Sequence, residues 1–324
     1  MQLPPASFLV VVTALLIGAA IGFVMQRGRF CMNTAFRDTI FINDVTLFRA
    51  YILALIVAII GANILEDMHW LGGDASGPFT LTRQAFTPVA NIVGGYIFGL
   101  GIVLASGCGS GILFRVGEGL VSALVAVMGF GVGILATTKG VLKPVYDLLK
   151  SYKVGLPAAD GSINYSFSLP DLFGGGEAAK WIIIAVITIA GGIFVLKGEP
   201  FKKTKGTGYY WSVTGLLIGL IVVAAWWASG VYGGYPRGLS FTGPLSDAIL
   251  AITQRSSDSA FPMFNLFGIK LTWSALYVLG VPIGAYISSK ALKEFKIQAP
   301  PARDILTVFG GSLMMGFGAA TAGG

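Results

Sequence analysis

The chain has 324 residues, of which 55% are hydrophobic and 11% charged, with a mean hydropathy of +0.78. A soluble globular domain carries roughly 25% charged residues, so composition excludes that class. The net charge of +7 sits largely in short loops beside apolar runs, which is a topogenic pattern rather than a nucleic-acid footprint. One histidine, His69, and two cysteines leave neither a zinc ligand set nor a Cys-x-x-Cys redox pair.

A bilayer core takes about 20 residues of helix. On that measure spans are predicted at Ser7–Met25, Phe48–Leu65, Asn91–Ser106, Gly119–Thr138, Trp181–Leu196, Tyr210–Ala228, Lys270–Ser288 and Thr307–Ala322. The first run has no basic segment before it and no small-residue cleavage site after it, so it reads as a span and not as a signal peptide. The chain is therefore an all-α polytopic membrane protein. Alternation through the spans, with Met1 on the outer side, places most Lys and Arg inside, including Arg27, Arg29, Arg37, Arg115, Lys197, Lys202 and Lys293.

The first span runs into Gln26–Asp38, an irregular stretch holding three arginines and Cys31. The arginines read first as the positive-inside signal. A thiol has no topogenic use, so Cys31 points to a path wall. The third span runs into Ala105-Ser106-Gly107-Cys108-Gly109-Ser110-Gly111. Irregular backbone at membrane depth is tolerated where it lines a cavity. Glycines on both sides of Cys108 let a ligand approach backbone N–H groups, and a helix starting there adds partial positive charge. Ser110 adds a hydroxyl donor, and the thiol a soft, weak one. The opposing reading makes Cys108 a small buried hydrophobe at a helix crossing. Arg115 and Glu118 read as an ion pair holding the turn into the fourth span. Gly129–Gly133 lies inside an apolar run and reads as helix packing, not as a nucleotide loop.

Glycines recur across the chain. Gly94, Gly99, Gly101, Ala105 and Gly107 match Gly311, Gly316, Gly318, Ala322 and Gly324 at an offset of 217, and Leu15–Gly18 matches Leu216–Gly219 at an offset of 201. A single span, Trp181–Leu196, stands between the two series. The expected architecture is an inverted repeat: residues 1–145 as first repeat, 146–208 as connecting loop and central helix, 209–324 as an incomplete second repeat. Interrupted or re-entrant helices meet at the midplane, with Ser229–Pro244 and Gly323-Gly324 answering Gln26–Asp38 and Ser106–Gly111. Position 325 corresponds to Cys108, and a further segment with one more helix is expected, about nine spans in all.

Gly22–Cys31 with Phe36-Arg37-Asp38, Ile92–Ala105 with Gly107-Cys108, Arg115 and Gly117-Glu118-Gly119, and Met315–Ala319 with Ala322-Gly323-Gly324 together resemble the signatures of the YeeE/YedE sulphur-transport family. Ser106 stands where relatives often have Gly. The resemblance implies an hourglass-shaped inner-membrane importer of thiosulfate, without cofactor, that passes the ion along cysteines by S–H···S contacts. It implies relay roles for Cys31 and Cys108, with Gly107, Gly109, Ser110 and Gly324 around the path, and a small cytosolic TusA-like sulfurtransferase as partner. Some family members are linked to selenium, so another sulfur or selenium species is an alternative substrate. A membrane thiol oxidoreductase using Cys31 and Cys108 is the rival from a different class.

Overall fold

The computed structural model describes residues 8–74, 77–81, 83–157, 163–199, 209–254, 262–266 and 268–323. Lys202 and Gly324 lie outside them. The described residues form thirteen α-helices: α1 Phe8–Arg27, α2 Met32–Arg37, α3 Thr46–Asp67, α4 Pro88–Leu104, α5 Gly109–Gly117, α6 Val121–Thr138 and α7 Lys143–Ser151 precede α8 Leu169–Leu172, α9 Glu177–Leu196, α10 Trp211–Val231, α11 Thr242–Gln254, α12 Trp273–Ala291 and α13 Ala302–Ala322. A π-helical turn, Asp38–Ile42, follows α2, and three short antiparallel hairpins decorate the loops. Local signals set several boundaries. Pro88 occupies the first turn of α4, and Thr272 caps α12 by accepting from the Ala275 amide at 3.1 Å. Ser168 and Asp171 form a capping box on α8.

Seven of the spans are long and apolar enough to cross a membrane, among the described residues. The protein is a multi-pass α-helical membrane protein. The predicted run at Lys270–Ser288 is not among those seven: Lys270–Thr272 belong to a hairpin strand, Ile269–Thr272, and helix α12 begins at Trp273. It contains Pro282 and lies beside α1: Gly18 faces Tyr277 and Gly280, and Gly22 faces Val281. The two helices are therefore parallel. On the other side α10 runs parallel to α3, with Gly215 against Ala50 and Gly219 against Ala54 and Val57. Helices α4 and α13 cross antiparallel, Gly94 against Gly318 and Gly101 against Gly311. Glycine at these positions has a packing cause, since an added Cβ would enter the facing backbone. Gly129 and Gly133 likewise seat α6 on Ser312 and Leu313 of α13.

Two of the helices that begin these spans are broken, and each break carries a cysteine. Helix α1 stops at Arg27 and α2 resumes beyond Cys31; α4 stops at Leu104 and α5 resumes beyond Cys108. The local backbone is the same in both. Arg29 (φ 50°) and Ser106 (φ 58°) take the left-handed conformation two residues before the thiol. Phe30 N donates to Met25 O at 2.9 Å, and Gly107 N to Ile102 O at 3.0 Å. These are the long-range bonds of a helix C-terminal cap. The chain then extends through the cysteine (Cys31 φ −143°, Cys108 φ −80°). The next helix starts at once: the cysteine carbonyl accepts from Ala35 N in one case and Ile112 N in the other, both at 2.9 Å.

Candidate functional site

These matched breaks bring together two thiols 77 residues apart. Cys31 Sγ and Cys108 Sγ stand 3.6 Å from each other, both buried and both free of disulfide. Cys108 Sγ is 3.4 Å from Ser110 Oγ. Gly111 closes the third side of the pair, where a Cβ would fall 2.7 Å from Cys31 Sγ and 3.4 Å from Cys108 Sγ. Gly111 is thus glycine because the thiols occupy its side-chain space. Gly109 is packed differently, against the Phe130 ring and Phe241 Cβ, and Gly107 against Ile112.

Cys108, Gly109 and Ser110 line a cavity of about 520 Å³, with the rest of its wall mainly from α1, α3, α10 and the segment Leu239–Thr242. Its wall includes the thioethers of Met25 and Met32, and, at Ser240, Phe241 and Thr242, the start of α11. Two helix N-termini, α5 and α11, therefore end on one space, where their free N–H groups favour negative charge. None of the described residues lining it is charged. A second hollow of about 580 Å³ between α3, α9 and the loop at Arg83 shares no lining residue with it.

On the other side of Cys31 the chemistry changes. Gln26, in the last turn of α1, has no exposed surface. Its Nε2 donates to Glu118 Oε1 at 3.2 Å and to Glu294 Oε2 at 3.0 Å, and its Oε1 accepts from Ser288 Oγ at 2.5 Å. Arg29 pairs with the same two carboxylates, at 2.8 Å from Glu294 and 3.7 Å from Glu118. Glu118 is therefore not the partner of Arg115, as its position in sequence suggested. Arg115 turns back along α5 and donates from Nη1 to the Ser106 carbonyl, tying α5 to the end of α4. The cause is geometric: the Ser106 carbonyl, just past the end of α4, lies within reach of the guanidinium inside the same break. Arg37 pairs with its neighbour Asp38, and His69 is exposed.

The chain matches the Sulphur transport family over residues 27–324. It belongs to that family. It is 31% identical over 333 residues to "Thiosulfate transporter TsuA" of Escherichia coli (strain K12), covering 98% of this chain and 85% of that protein. It is 30% identical over 315 residues to "Thiosulfate transporter TsuA" of Spirochaeta thermophila, covering 96% and 88%. A more local match, 30% over 114 residues, joins it to "Probable transporter YedE" of Escherichia coli (strain K12), covering 33% of the chain.

The site residues fall into two groups. Cys31, Cys108, Gly109 and Ser110 converge with Gly111, and Gly107 stands one step behind in the break. Sequence reasoning missed Met25 and Met32, which look like ordinary apolar positions, and the Gln26–Glu118–Glu294 cluster. Gln26 carried a legible signal: an amide in the final turn of an apolar helix needs partners when buried. Among the described residues no group of three His, Cys, Asp or Glu is placed to hold a metal ion.

Proposed function

We propose that this protein imports thiosulfate across the bacterial inner membrane along the path that ends at Cys108 and Cys31. The observation that carries the reading is the thiol pair at 3.6 Å, one member of which, Cys108, lines a cavity together with Met25, Met32 and two helix N-termini. Thiosulfate is a dianion with one soft sulfur. Oriented N–H groups offset its charge without a fixed cation that would hold it too tightly to release. Thiols and thioethers meet the sulfur end with weak, polarizable contacts. In this reading the ion passes from Cys108 to Cys31 by S–H···S contacts, with Gly107, Gly109 and Ser110 shaping the turn.

We read the architecture as an inverted repeat, and three features support it. The offset of 217 turns the Gly94–Gly318 contact into the Gly311–Gly101 contact, so the α4/α13 crossing maps onto itself. Exchanging α1 with α10 and α12 with α3 turns one parallel pair into the other. Gly323, 217 residues beyond Ser106, shares its left-handed backbone (φ 85°). In the same reading the N-terminal end of α1 faces the periplasm, and a TusA-like sulfurtransferase receives the ion in the cytosol.

The test is sulfur-source rescue. The protein is expressed in a strain lacking sulfate and thiosulfate uptake, with thiosulfate as sole sulfur source. Growth and uptake of labelled thiosulfate are expected, and their absence with correctly inserted protein would sink the reading. The 3.6 Å contact also favours a second reading, a dithiol that cycles to a disulfide and passes electrons to a membrane acceptor. That requires the sulfurs to close to about 2.05 Å. Sustained uptake with both thiols held reduced would exclude it.

A further inference from the structure

Gln26 and Arg29 form a set of N–H donors at the Cys31 break. Gln26 offers an amide NH₂ that is fully buried, and Arg29 a guanidinium two residues before Cys31. Such donors recognise carboxylates and small oxyanions alike. Both are occupied by the same pair of internal carboxylates. Glu118 Oε1 and Glu294 Oε2 each take Gln26 Nε2, at 3.2 and 3.0 Å, and each pairs with Arg29. Two carboxylates carry the charge of one dianion.

The cluster is wired to the thiols. Gly111, against which Cys31 Sγ packs, lies in the first turn of α5, and Glu118 is the residue that ends α5. At 1.5 Å per residue the Glu118 Cα stands about 10 Å further along the helix than that of Gly111. The backbone around it is pinned: Glu118 O accepts from Lys296 N at 3.2 Å, and Glu294 N donates to Ser289 O at 2.8 Å. Other charges nearby are directed elsewhere. Arg27 stacks over Tyr209, Arg115 holds Ser106, and Lys290 lies over Tyr286 and Phe295.

We propose that Gln26 and Arg29 are the exit site for a divalent sulfur oxyanion, and that Glu118 and Glu294 are built-in competitors that keep the ion from lodging there. This rests on the thiosulfate-import reading above. A path conducts only if its last site binds weakly enough to let go. An arginine beside the exit would otherwise retain a dianion. With two carboxylates returning to the same donors, each arrival is followed by displacement into the cytosol. Glu118 and Glu294 are positioning residues in this scheme, and Arg29 and Gln26 touch the ion.

The test uses the full chain in nanodiscs, titrated with thiosulfate and, separately, with sulfate by calorimetry, alongside uptake in proteoliposomes. Glu118→Gln with Glu294→Gln removes the competitors and is expected to tighten thiosulfate about tenfold while slowing its turnover. Sulfate gains similarly, because the donors read oxyanion and not sulfane sulfur. Adding Arg29→Gln to that variant abolishes the gain for both ions. Should the double variant fail to insert, Glu294→Gln alone, on the more exposed carboxylate, gives a gain of about threefold. Unchanged affinity in a folded, inserted Glu variant, or a gain confined to thiosulfate, overturns the proposal while leaving import standing. Failure of the wild-type protein to take up thiosulfate at all defeats the import reading instead.

Discussion

The breaks at Cys31 and Cys108 have one backbone and two environments. Each has a left-handed residue, a long-range capping bond, an extended cysteine and an immediate helix restart. Around Cys108 the walls are apolar and soft, with a hydroxyl, two thioethers and helix N-termini. Beyond Cys31 lie a buried amide, an arginine and two carboxylates. The comparison teaches that the repeated turn supplies only a place for a thiol. What the thiol can do is set by the residues the rest of the fold brings to it. Both thiols are buried, so water replaces a lost contact at neither, but the Arg29 cation in the Cys31 break offsets part of the loss there.

The largest effect should therefore come at Cys108. Cys108→Ala keeps the volume but removes the soft donor, and uptake of labelled thiosulfate, normalised to inserted protein, should fall by about a hundredfold. Cys31→Ala should lose only about tenfold. Equal losses at the two sites would erase the difference in environment, and wild-type rates in Cys108→Ala would return that residue to packing.

Next in size is Gly111→Ala. Its methyl would sit 2.7 Å from Cys31 Sγ, far inside van der Waals contact, while Cys108 Sγ at 3.4 Å is merely crowded. The substitution should push Cys31 away and reduce uptake about tenfold beyond any loss of folding. Combining it with Cys31→Ala removes the obstructing sulfur, so the double variant should transport like Cys31→Ala alone. A double variant that is worse by the full product of the two losses would show that Gly111 acts through something other than the thiol.

Much of the fold could be read from the chain because bilayer physics leaves few solutions. Eight apolar runs emerged as helices at nearly the expected positions, from Ser7–Met25 as α1 to Thr307–Ala322 within α13. The glycines of α4 and α13 were readable as close-packing residues for the same reason. The two breaks were legible in Gly-Arg-Phe-Cys and Ser-Gly-Cys-Gly. What stayed hidden was any partnership across the sequence. Arg115 and Glu118 are near neighbours in the chain, yet one binds the Ser106 carbonyl and the other meets Gln26 and Arg29 from α1. The contact between Cys31 and Cys108 depends on how α5 packs against α12, α6 and α1, and no spacing rule reports that.

The smallest expected effect separates backbone from side chain within the shared turn. Ser106 and Arg29 both hold φ near +50 to +58°, where an L side chain is strained by roughly 1 kcal/mol and glycine is not. Ser106→Gly relieves that strain at some cost in unfolded-chain entropy, and it leaves the carbonyl that receives Arg115 in place. It should raise thermal stability in detergent by about 0.5 kcal/mol and leave uptake unchanged. Arg29→Gly relieves the same backbone but deletes the cation shared by Glu118 and Glu294. Two carboxylates held by one buried amide then repel each other without their counter-charge, so stability should fall and uptake with it. A stabilised, active Arg29→Gly would mean that Arg29, like Ser106, serves only the turn.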